Sequence, residues 1–438
     1  MSTELAKKYE ALKEAIRLLH QGVSVSELKE RYRDLLQQVS PFEIPLIEQQ
    51  LVKEGLPVAE ILKLCDLHVE LFREFLSARE VRDVPEGHPL DLLMRENEWI
   101  QRRAEVLGLY AAELLTSSPE GASSILSNIR SLLEELKRIR LHYRKIQMLV
   151  FPYLERRGIV AVPRVMWGRE DQVVVKLRRL ATEVEALLGG KSQGDYRKTA
   201  SELLELAKEI GDLVFRENKI LYPAIWALFS EGEWAAIAEI ADDIGYIIEV
   251  GERRWRSSAE PILPYELEAT ITPEQLEKLP AEFRHALSGG LEPDGYRVVR
   301  DGDLDLGTGF LSVEELKGIF RALPVEVTFA DANRRIRFYS ESEISGGFAR
   351  AKTILGRRVE FCHPPRLEGF VKLNVDVLMR GEFSHREFWT RSGDRILRVI
   401  IAGVRDSQNR LIGVLEVVED LTEVINNPGE VLKKIVVL

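Results

Sequence analysis

The sequence predicts a multidomain chain. It has an all-α N-terminal domain and an up-and-down helical bundle, followed by an α+β domain with an antiparallel sheet. Two patterns predict this order: apolar residues recur at helical spacing from residue 4 to about residue 251, and beyond Val325 they alternate with polar residues in short runs, as in strands. The length of 438 residues suggests about three domains, because single cores stop growing near ~250–300 residues.

The first segment, residues 1–80, is predicted to be a compact helical domain. Its apolar residues form stripes with the helical period, and capping boxes at 24–27 and 40–43 mark two helix starts. In each box a serine oxygen accepts a backbone N–H of the first turn, and a glutamate reaches back to the cap. These signals predict several short helices rather than one long helix.

Residues 81–251 carry four long helical patterns separated by short turns rich in glycine and proline. Short connections make successive helices antiparallel neighbours, so the segment is predicted to be an up-and-down bundle. The charge-dense run 134–145 mixes both signs and is typical of a solvated helix face. The predicted helices run from Pro89 to about Leu115, from about Ala122 to Arg156, from about Glu170 to Leu188 and from Tyr196 to Ala227, and a further helix starts at Ser230.

The helical periodicity ends after the bundle. Residues 252–311 are rich in proline and glycine and are predicted to be a connector, interrupted by one helix that starts at a capping box, 272–275. Residues 312–425 then show a capped helix, two strands, further helices and three strands, which is the α+β pattern. Residues 426–438 are predicted to be a C-terminal tail.

Composition limits the possible functions. Lys and Arg total 61 against 71 Asp and Glu, and a net charge of −10 argues against nucleic acid as a partner. The two cysteines, Cys65 and Cys362, lie far apart, so the sequence favours the reducing cytoplasm. We expect no membrane span, because the sequence lacks an apolar stretch of about 18 uncharged residues.

The helical part of the sequence resembles two known families. The N-terminal segment, with Ser40-Pro-Phe-Glu-Ile44 and Leu64-Cys-Asp-Leu-His68, is similar to the domain of unknown function 438. The bundle resembles the hemerythrin-like, or HHE cation-binding, domain. The residues that carry this second resemblance are Gly87-His-Pro89, Arg95-Glu-Asn97, His142-Tyr143, Phe151-Pro-Tyr-Leu-Glu155, Val165-Met-Trp-Gly168, Phe215-Arg-Glu217 and Ile220-Leu-Tyr-Pro223.

The C-terminal domain resembles a PAS sensory domain. The resemblance is carried by Gly356-Arg-Arg-Val359, by the helix and three strands that follow, and by a last strand that runs from Gly413 into Asp420-Leu-Thr422. It implies a ligand cavity or a dimer interface. Cys362 and His363 stand where a PAS helix begins to face its cavity, so the resemblance makes them candidate contacts to haem or another cofactor. A redox-sensitive thiolate at Cys362, or a structural role for both residues, stays open.

The hemerythrin resemblance implies an iron site, but the residues make an intact one improbable. Such bundles hold two irons with about five histidines and two carboxylates, whereas residues 81–251 contain only His88 and His142. One reading is a reduced site for a single iron, and the other is a metal-free core closed by Gln147 and Asn218. His88 before Pro89 also suits a helix N-cap. The candidate ligands of the reduced site are His88, Glu96, His142, Asp171 and Glu217.

Together these features predict a cytoplasmic sensory or regulatory protein rather than an enzyme. In this hypothesis the PAS domain binds a small-molecule or gas ligand or mediates dimerisation, and the signal passes to a homodimer partner or a separate signalling protein. One alternative is a non-haem iron metalloprotein that handles oxygen, nitric oxide or peroxide. Another is a metal-free structural adaptor.

Overall fold

The fold was analysed on a computed structural model that describes residues 3–37, 54–55, 57, 73, 81–190, 195–251, 254–267, 292–344, 348 and 350–436. The chain divides into two compact units, Met1–Arg297 and Val298–Leu438. The boundary between them falls inside the predicted connector. Within the part of the chain that is described, no helix is long and apolar enough to cross a membrane.

The N-terminal segment begins with three helices, α1 (Thr3–His20), α2 (Val25–Arg31) and α3 (Arg33–Leu36). Ser24 caps α2, since its side chain accepts a hydrogen bond of 3.2 Å from the N–H of Glu27. Ile16, Leu28 and Leu36 are fully buried, so the helices pack along the predicted apolar stripes. The capping box predicted at 40–43 lies outside the described residues.

The bundle contains more helical segments than the sequence predicts. They are α4 (Pro89–Thr116), α5 (Pro119–Leu136), α6 (Ile139–Lys145), α7 (Phe151–Arg156), α8 (Ala161–Leu188), α9 (Tyr196–Arg216), α10 (Tyr222–Leu228) and α11 (Glu231–Ile244). The α8 helix starts nine residues before the predicted Glu170. Pro163 does not interrupt it, because proline is tolerated in the first turn of a helix. The predicted capping box at the start of α11 is confirmed.

Two π-helical turns interrupt the bundle helices. Ile146–Val150 joins α6 to α7, and Glu217–Leu221 joins α9 to α10. In each turn the residue that follows donates its N–H to the carbonyl five positions earlier. A proline comes next, at position 152 or 223, where it has no N–H for an α-helical bond and its ring would clash with the carbonyl four residues back. The aromatic-proline pairs therefore accompany both π-helical turns, which are features that often mark functional sites.

Part of the predicted connector packs on the bundle. Tyr153 Oη donates a hydrogen bond of 2.7 Å to the Ile262 carbonyl, and the Ile262 N–H donates one of 3.0 Å to the Gly232 carbonyl. A Cβ at Gly232 would lie 2.7 Å from the carbonyl oxygen of Glu260, so glycine permits this close approach. Residues 254–267 are thus part of the helical unit rather than a free linker. The helix predicted at 272–275 is outside the described residues.

The second unit is an α+β domain, as predicted. A hairpin, β1 (Leu304–Asp305) with β2 (Phe310–Leu311), precedes helix α12 (Val313–Ala322), whose predicted capping box is confirmed. A five-stranded antiparallel sheet has the order β4-β3-β7-β6-β5. Its strands are β3 (Glu326–Asp331), β4 (Ile336–Tyr339), β5 (His385–Ser392), β6 (Arg395–Arg405) and β7 (Leu411–Asp420).

One face of the sheet is covered by α13 (Pro365–Met379), which buries Val375 and Leu378 against Leu397, Val399, Val414 and Val418. We call this the inner face. The chain continues after β7 through α14 (Thr422–Asn426) and α15 (Pro428–Lys433), so the predicted tail contains a helix.

Candidate functional site

A layer of buried polar side chains divides the bundle into two apolar parts. On one side of this layer an apolar cluster begins at Ile100, Tyr143, Val173 and Val214. On the other side of the layer a second apolar cluster begins at Leu93, Ile146, Met166 and Leu221. The polar residues fall at the transition: Glu96 on α4, His142 and Lys145 on α6, Glu170 on α8 and Glu217 on the second π-helical turn. Each of these side chains is at least 97% buried. We call these five residues the polar layer.

His142 is the centre of the polar layer. Its Nδ1 lies 2.7 Å from Glu96 Oε2 and its Nε2 lies 2.9 Å from Glu217 Oε2. Both ring nitrogens thus face carboxylate oxygens, an arrangement that is satisfied when both carry a proton. Burial by itself lowers the pKa of His142, but attraction to Glu217 and the hydrogen bonds to both carboxylates outweigh it and raise the pKa to about 9.

Lys145 supplies a second buried positive charge, one helical turn after His142. Its Nζ donates to Glu96 Oε1 at 2.9 Å and to the Gly245 carbonyl at 2.6 Å. The same Glu96 oxygen accepts the N–H of Ile247 at 3.0 Å. Burial alone raises the pKa of Glu96, yet its bonds to His142 and Lys145 hold that pKa below its usual value. Glu96 is therefore an ionised carboxylate with partners on both oxygens.

The other two acids of the layer have different partners. Glu170 accepts a hydrogen bond of 2.6 Å from Gln147 Nε2, and burial together with repulsion from Glu217 raises its pKa to about 8. It is therefore mostly protonated at neutral pH. Glu217 accepts from Tyr222 Oη at 3.2 Å as well as from His142. Glu96 and Glu217 thus both face the His142 ring, and Glu96 also faces the Lys145 ammonium.

Several buried oxygens in this region have no hydrogen-bond partner among the residues that the structure describes. They are Glu170 Oε1, Glu217 Oε1, Tyr143 Oη and Asn97 Oδ1. Burial and the nearby Glu217 charge raise the pKa of Tyr143 well above its usual value, so its phenol stays neutral. Buried polar atoms of this kind are commonly satisfied by an ordered water.

The residues of the layer do not fit the iron site that the hemerythrin resemblance implies. Both nitrogens of His142 and both oxygens of Glu96 already face hydrogen-bonding partners. Gln147 offers an amide N–H to Glu170, where a cation would need a lone pair. Among the described residues, no group of three or more His, Cys, Asp or Glu side chains is placed to hold a metal ion.

Two of the predicted ligands lie elsewhere. His88 is the N-cap of α4, and its Nδ1 accepts the N–H of Leu90 at 3.1 Å. Its ring packs edgewise on Trp226, Trp234 and Trp255 at centroid distances of 4.5–5.2 Å, and burial lowers its pKa to about 4. His88 is thus a neutral cap, the second of the two roles that the sequence left open.

Asp171 is exposed, whereas its neighbour Glu170 is fully buried. Adjacent residues of a helix point about 100° apart, so the prediction chose the wrong member of the pair. The structure does bring Glu96, His142 and Glu217 together, as predicted. The sequence analysis missed Lys145, because the mixed-charge run 134–145 looked solvated, although the spacing of Lys145 three residues after His142 places both on one face.

Cys362 and His363 each lie against a backbone carbonyl four residues earlier. Cys362 is exposed, its thiol lies 3.7 Å from the Arg358 carbonyl, and burial of part of the side chain raises its pKa. His363 Nδ1 donates a hydrogen bond of 3.0 Å to the Val359 carbonyl. The pair lies at the end of a short 3-10 helix, Val359–Cys362, just before α13.

A polar patch occupies part of the inner face of the sheet. Glu326, Thr328 and Glu416 share this face with Val414 and Val418, as the strand register shows. Arg350 pairs with Glu326 and lies 2.9 Å from Glu416 Oε1, while the buried Thr328 hydroxyl has no hydrogen-bond partner in the described part of the chain. We call Glu326, Thr328, Arg350 and Glu416 the inner-face patch.

Three family models match the chain. The family of unknown function DUF438 matches residues 12–78, the Hemerythrin HHE cation binding domain matches residues 88–225, and the PAS domain matches residues 316–422. These matches confirm the resemblances drawn from the sequence motifs. No curated protein matches the chain.

Two solved structures are similar to parts of the chain. A crystal structure of a C-terminal domain from Streptococcus mutans is 32% identical, and the match covers 31% of this chain and 99% of that one with a TM-score of 0.27. A sensory box sensor histidine kinase from Vibrio cholerae is 13% identical, with coverages of 24% and 90% and a TM-score of 0.20. Neither TM-score indicates a shared overall fold. From the family matches, the chain combines a DUF438 region, a hemerythrin HHE cation-binding domain and a PAS domain, in that order.

Proposed function

We propose that this chain is a sensory or regulatory protein that responds to a small ligand in its PAS domain and passes the signal on by protein association. The observation that carries the proposal is the presence of a PAS domain and a hemerythrin HHE domain in one chain. The proposed location is the reducing cytoplasm, which the sparse use of cysteine favours. We propose binding rather than catalysis, because His142, Glu96 and Lys145 are engaged with one another.

The inner-face patch supports a polar ligand. Its two carboxylates, on Glu326 and Glu416, lie next to the Arg350 guanidinium, and among the described residues the Thr328 hydroxyl has no hydrogen-bond partner. A ligand with an amino group would donate hydrogen bonds to these carboxylates and to Thr328. We therefore propose a small amine or amino acid as the PAS ligand, ahead of haem held by Cys362 and His363.

Helix α12 supports association with a second copy of the chain. It is strongly amphipathic, none of its residues is buried, and Val313 and Ile319 are 50% and 43% exposed. An apolar helix face of this kind is stabilised when a partner covers it. A separate signalling protein is the alternative occupant.

The ligand proposal is tested by thermal unfolding of the full chain with a panel of small amines, amino acids, carboxylic acids and haem. We expect an amine or amino acid to raise the melting temperature of wild type and of the exposed control variant Thr390→Val. The same compound should have a much smaller effect on Thr328→Val, which keeps the shape of threonine but loses its hydroxyl. A Soret band that disappears in His363→Ala would instead support haem, and no response to any compound would contradict a ligand-binding role.

Association is tested separately by sedimentation of the full chain. We expect a dimer that dissociates when Ile319→Lys puts a charge on the exposed face of α12, while Lys317→Gln on the same helix leaves it intact. A wild-type monomer at all concentrations would contradict self-association and favour a separate partner.

A further inference from the structure

We propose that Lys145 takes the place of a bound metal cation in this hemerythrin-like bundle, so that the polar layer is complete without any metal. The inference concerns the bundle alone and does not depend on the PAS ligand or on association. It rests on where the Lys145 ammonium lies, on which lone pairs are already used, and on the balance of buried charge.

The position of Lys145 is that of an internal cation. Its side chain is 3% exposed and reaches the fully buried carboxylate of Glu96. Its Nζ also lies 2.6 Å from the Gly245 carbonyl and 4.8 Å from the centre of the Tyr246 ring, so the ammonium is surrounded by electron-rich groups. A lysine buried to this extent is rare unless it is paired.

The lone pairs that a metal would need at Glu96 and His142 are occupied. Glu96 uses Oε1 for Lys145 and for the N–H of Ile247, and Oε2 for His142. The His142 ring faces a carboxylate oxygen at each nitrogen, and a ring that donates from both nitrogens has no lone pair for a metal. At Glu96 or His142 a metal could bind only by displacing a proton from the His142 ring or the ammonium of Lys145.

Charge balance points the same way. The ammonium of Lys145 lies against Glu96, and the His142 ring lies between Glu96 and Glu217. A divalent ion bound at the same carboxylates would stand beside the buried ammonium, and two like charges close together are costly in a low-dielectric interior. Removing Lys145 would leave an excess of negative charge at Glu96.

The competing outcome is a single metal held by the oxygens that lack partners, Glu170 Oε1, Glu217 Oε1 and Tyr143 Oη. These atoms come from two carboxylates and a neutral phenol, with no histidine nitrogen left for the same ion. In our proposal they are satisfied by water.

The test uses the full chain and three variants. Lys145→Met removes the ammonium and keeps the length of the side chain, Lys145→Arg keeps the charge, and Lys176→Met is a matched control at a more exposed ion pair on α8. Urea unfolding is followed with and without EDTA and with added Fe²⁺ or Co²⁺, and bound metal is counted for each sample.

We expect the wild-type unfolding curve to be the same with EDTA, Fe²⁺ or Co²⁺, with bound metal far below one per chain. Lys145→Met should raise the unfolding equilibrium constant about a hundredfold or more, because it removes one of the two basic side chains that face the buried Glu96 carboxylate. Lys176→Met should raise it less than about fivefold, as for an exposed pair. Lys145→Arg should lie nearer to wild type than Lys145→Met.

Two results would overturn the proposal. The first is a wild-type chain that holds one metal and loses stability when EDTA removes it. The second is a Lys145→Met variant as stable as wild type in the absence of metal. If Lys145→Met does not fold, the wild-type response to EDTA and the stability of Lys145→Arg still decide between the alternatives.

Discussion

The protonated state of His142 makes the stability of the bundle depend on pH. Folding raises the pKa of His142 from 6.5 to about 9, so the folded chain keeps a proton that the unfolded chain releases over this range. The stabilisation is fully present below pH 6.5 and is lost as the pH rises through 9. The shift corresponds to about 3 kcal/mol of unfolding free energy, since each pKa unit is worth ~1.4 kcal/mol.

Glu170 adds to this dependence. Burial raises its pKa from 4.5 to about 8, so the folded state also binds a proton that the unfolded chain loses above pH 4.5. Both groups make the unfolding free energy fall as the pH rises from 6.5 to 9. Ionised Glu170 would also repel the nearby Glu217 carboxylate.

The assay is urea unfolding of the full chain at several pH values, followed by tryptophan fluorescence. Five of the six tryptophans lie between residues 99 and 255, so the signal reports mainly on the helical unit. We expect the unfolding free energy to decrease by about 3 kcal/mol or more between pH 6.5 and 9. In the neutral variant His142→Gln this decrease should be smaller by about 3 kcal/mol, leaving only the part that Glu170 contributes. A wild-type stability that is constant or rises over this range would refute the reasoning.

Two further changes probe the packing. Arg157→Met should cost about 3–5 kcal/mol of unfolding free energy, because Arg157 holds the fully buried Glu233 with two bonds of 2.8 and 2.9 Å; a loss below about 1 kcal/mol in urea unfolding would contradict this. Gly413→Ala should destabilise the PAS domain by about 1–3 kcal/mol, because its Cβ would lie 2.3 Å from the Ala330 carbonyl oxygen. Gly369→Ala on α13, where the space is open, should leave the melting temperature unchanged or raise it, and equal losses in both variants would contradict the packing argument.

The sequence predicts the architecture well because the architecture depends on period and capping. The change from helical to alternating patterns near residue 325 marks the α+β domain, and the capping boxes at Ser230 and Ser312 fix two helix starts. The connector was harder to assign. Residues 254–267 have no periodicity, and their packing on the bundle depends on backbone contacts at Gly232 that leave little pattern in the sequence.

The candidate site was predicted only in part, for reasons of geometry. To choose between Glu170 and Asp171, one must know which face of α8 points into the bundle. The proline in the first turn of α8 made the start of this helix, and so that face, hard to predict. His88 carries the residue type of a ligand but the position of a cap. The role of Lys145 depends on a carboxylate 49 residues earlier in the chain, a long-range pairing that charge patterning along one helix does not reveal.

The π-helical turns were also not predicted. In each turn a backbone N–H just before Pro152 or Pro223 bonds to the carbonyl five positions earlier. The sequence analysis used the aromatic-proline pairs only as family motifs. One of these turns carries Glu217 and the other carries Gln147, so both contribute side chains to the polar layer or its immediate neighbours. A proline one turn after a polar residue inside a helical pattern is therefore a useful signal for such turns.

The account as a whole depends on the claim that the polar layer of the bundle is complete without a metal. The most direct test is the iron content of the full wild-type chain, produced in iron-supplemented medium and measured by elemental analysis against protein concentration. The account predicts iron far below one atom per chain, with no absorption bands from an iron centre. One or two iron atoms per chain, lost on treatment with a chelator together with helical stability, would contradict it.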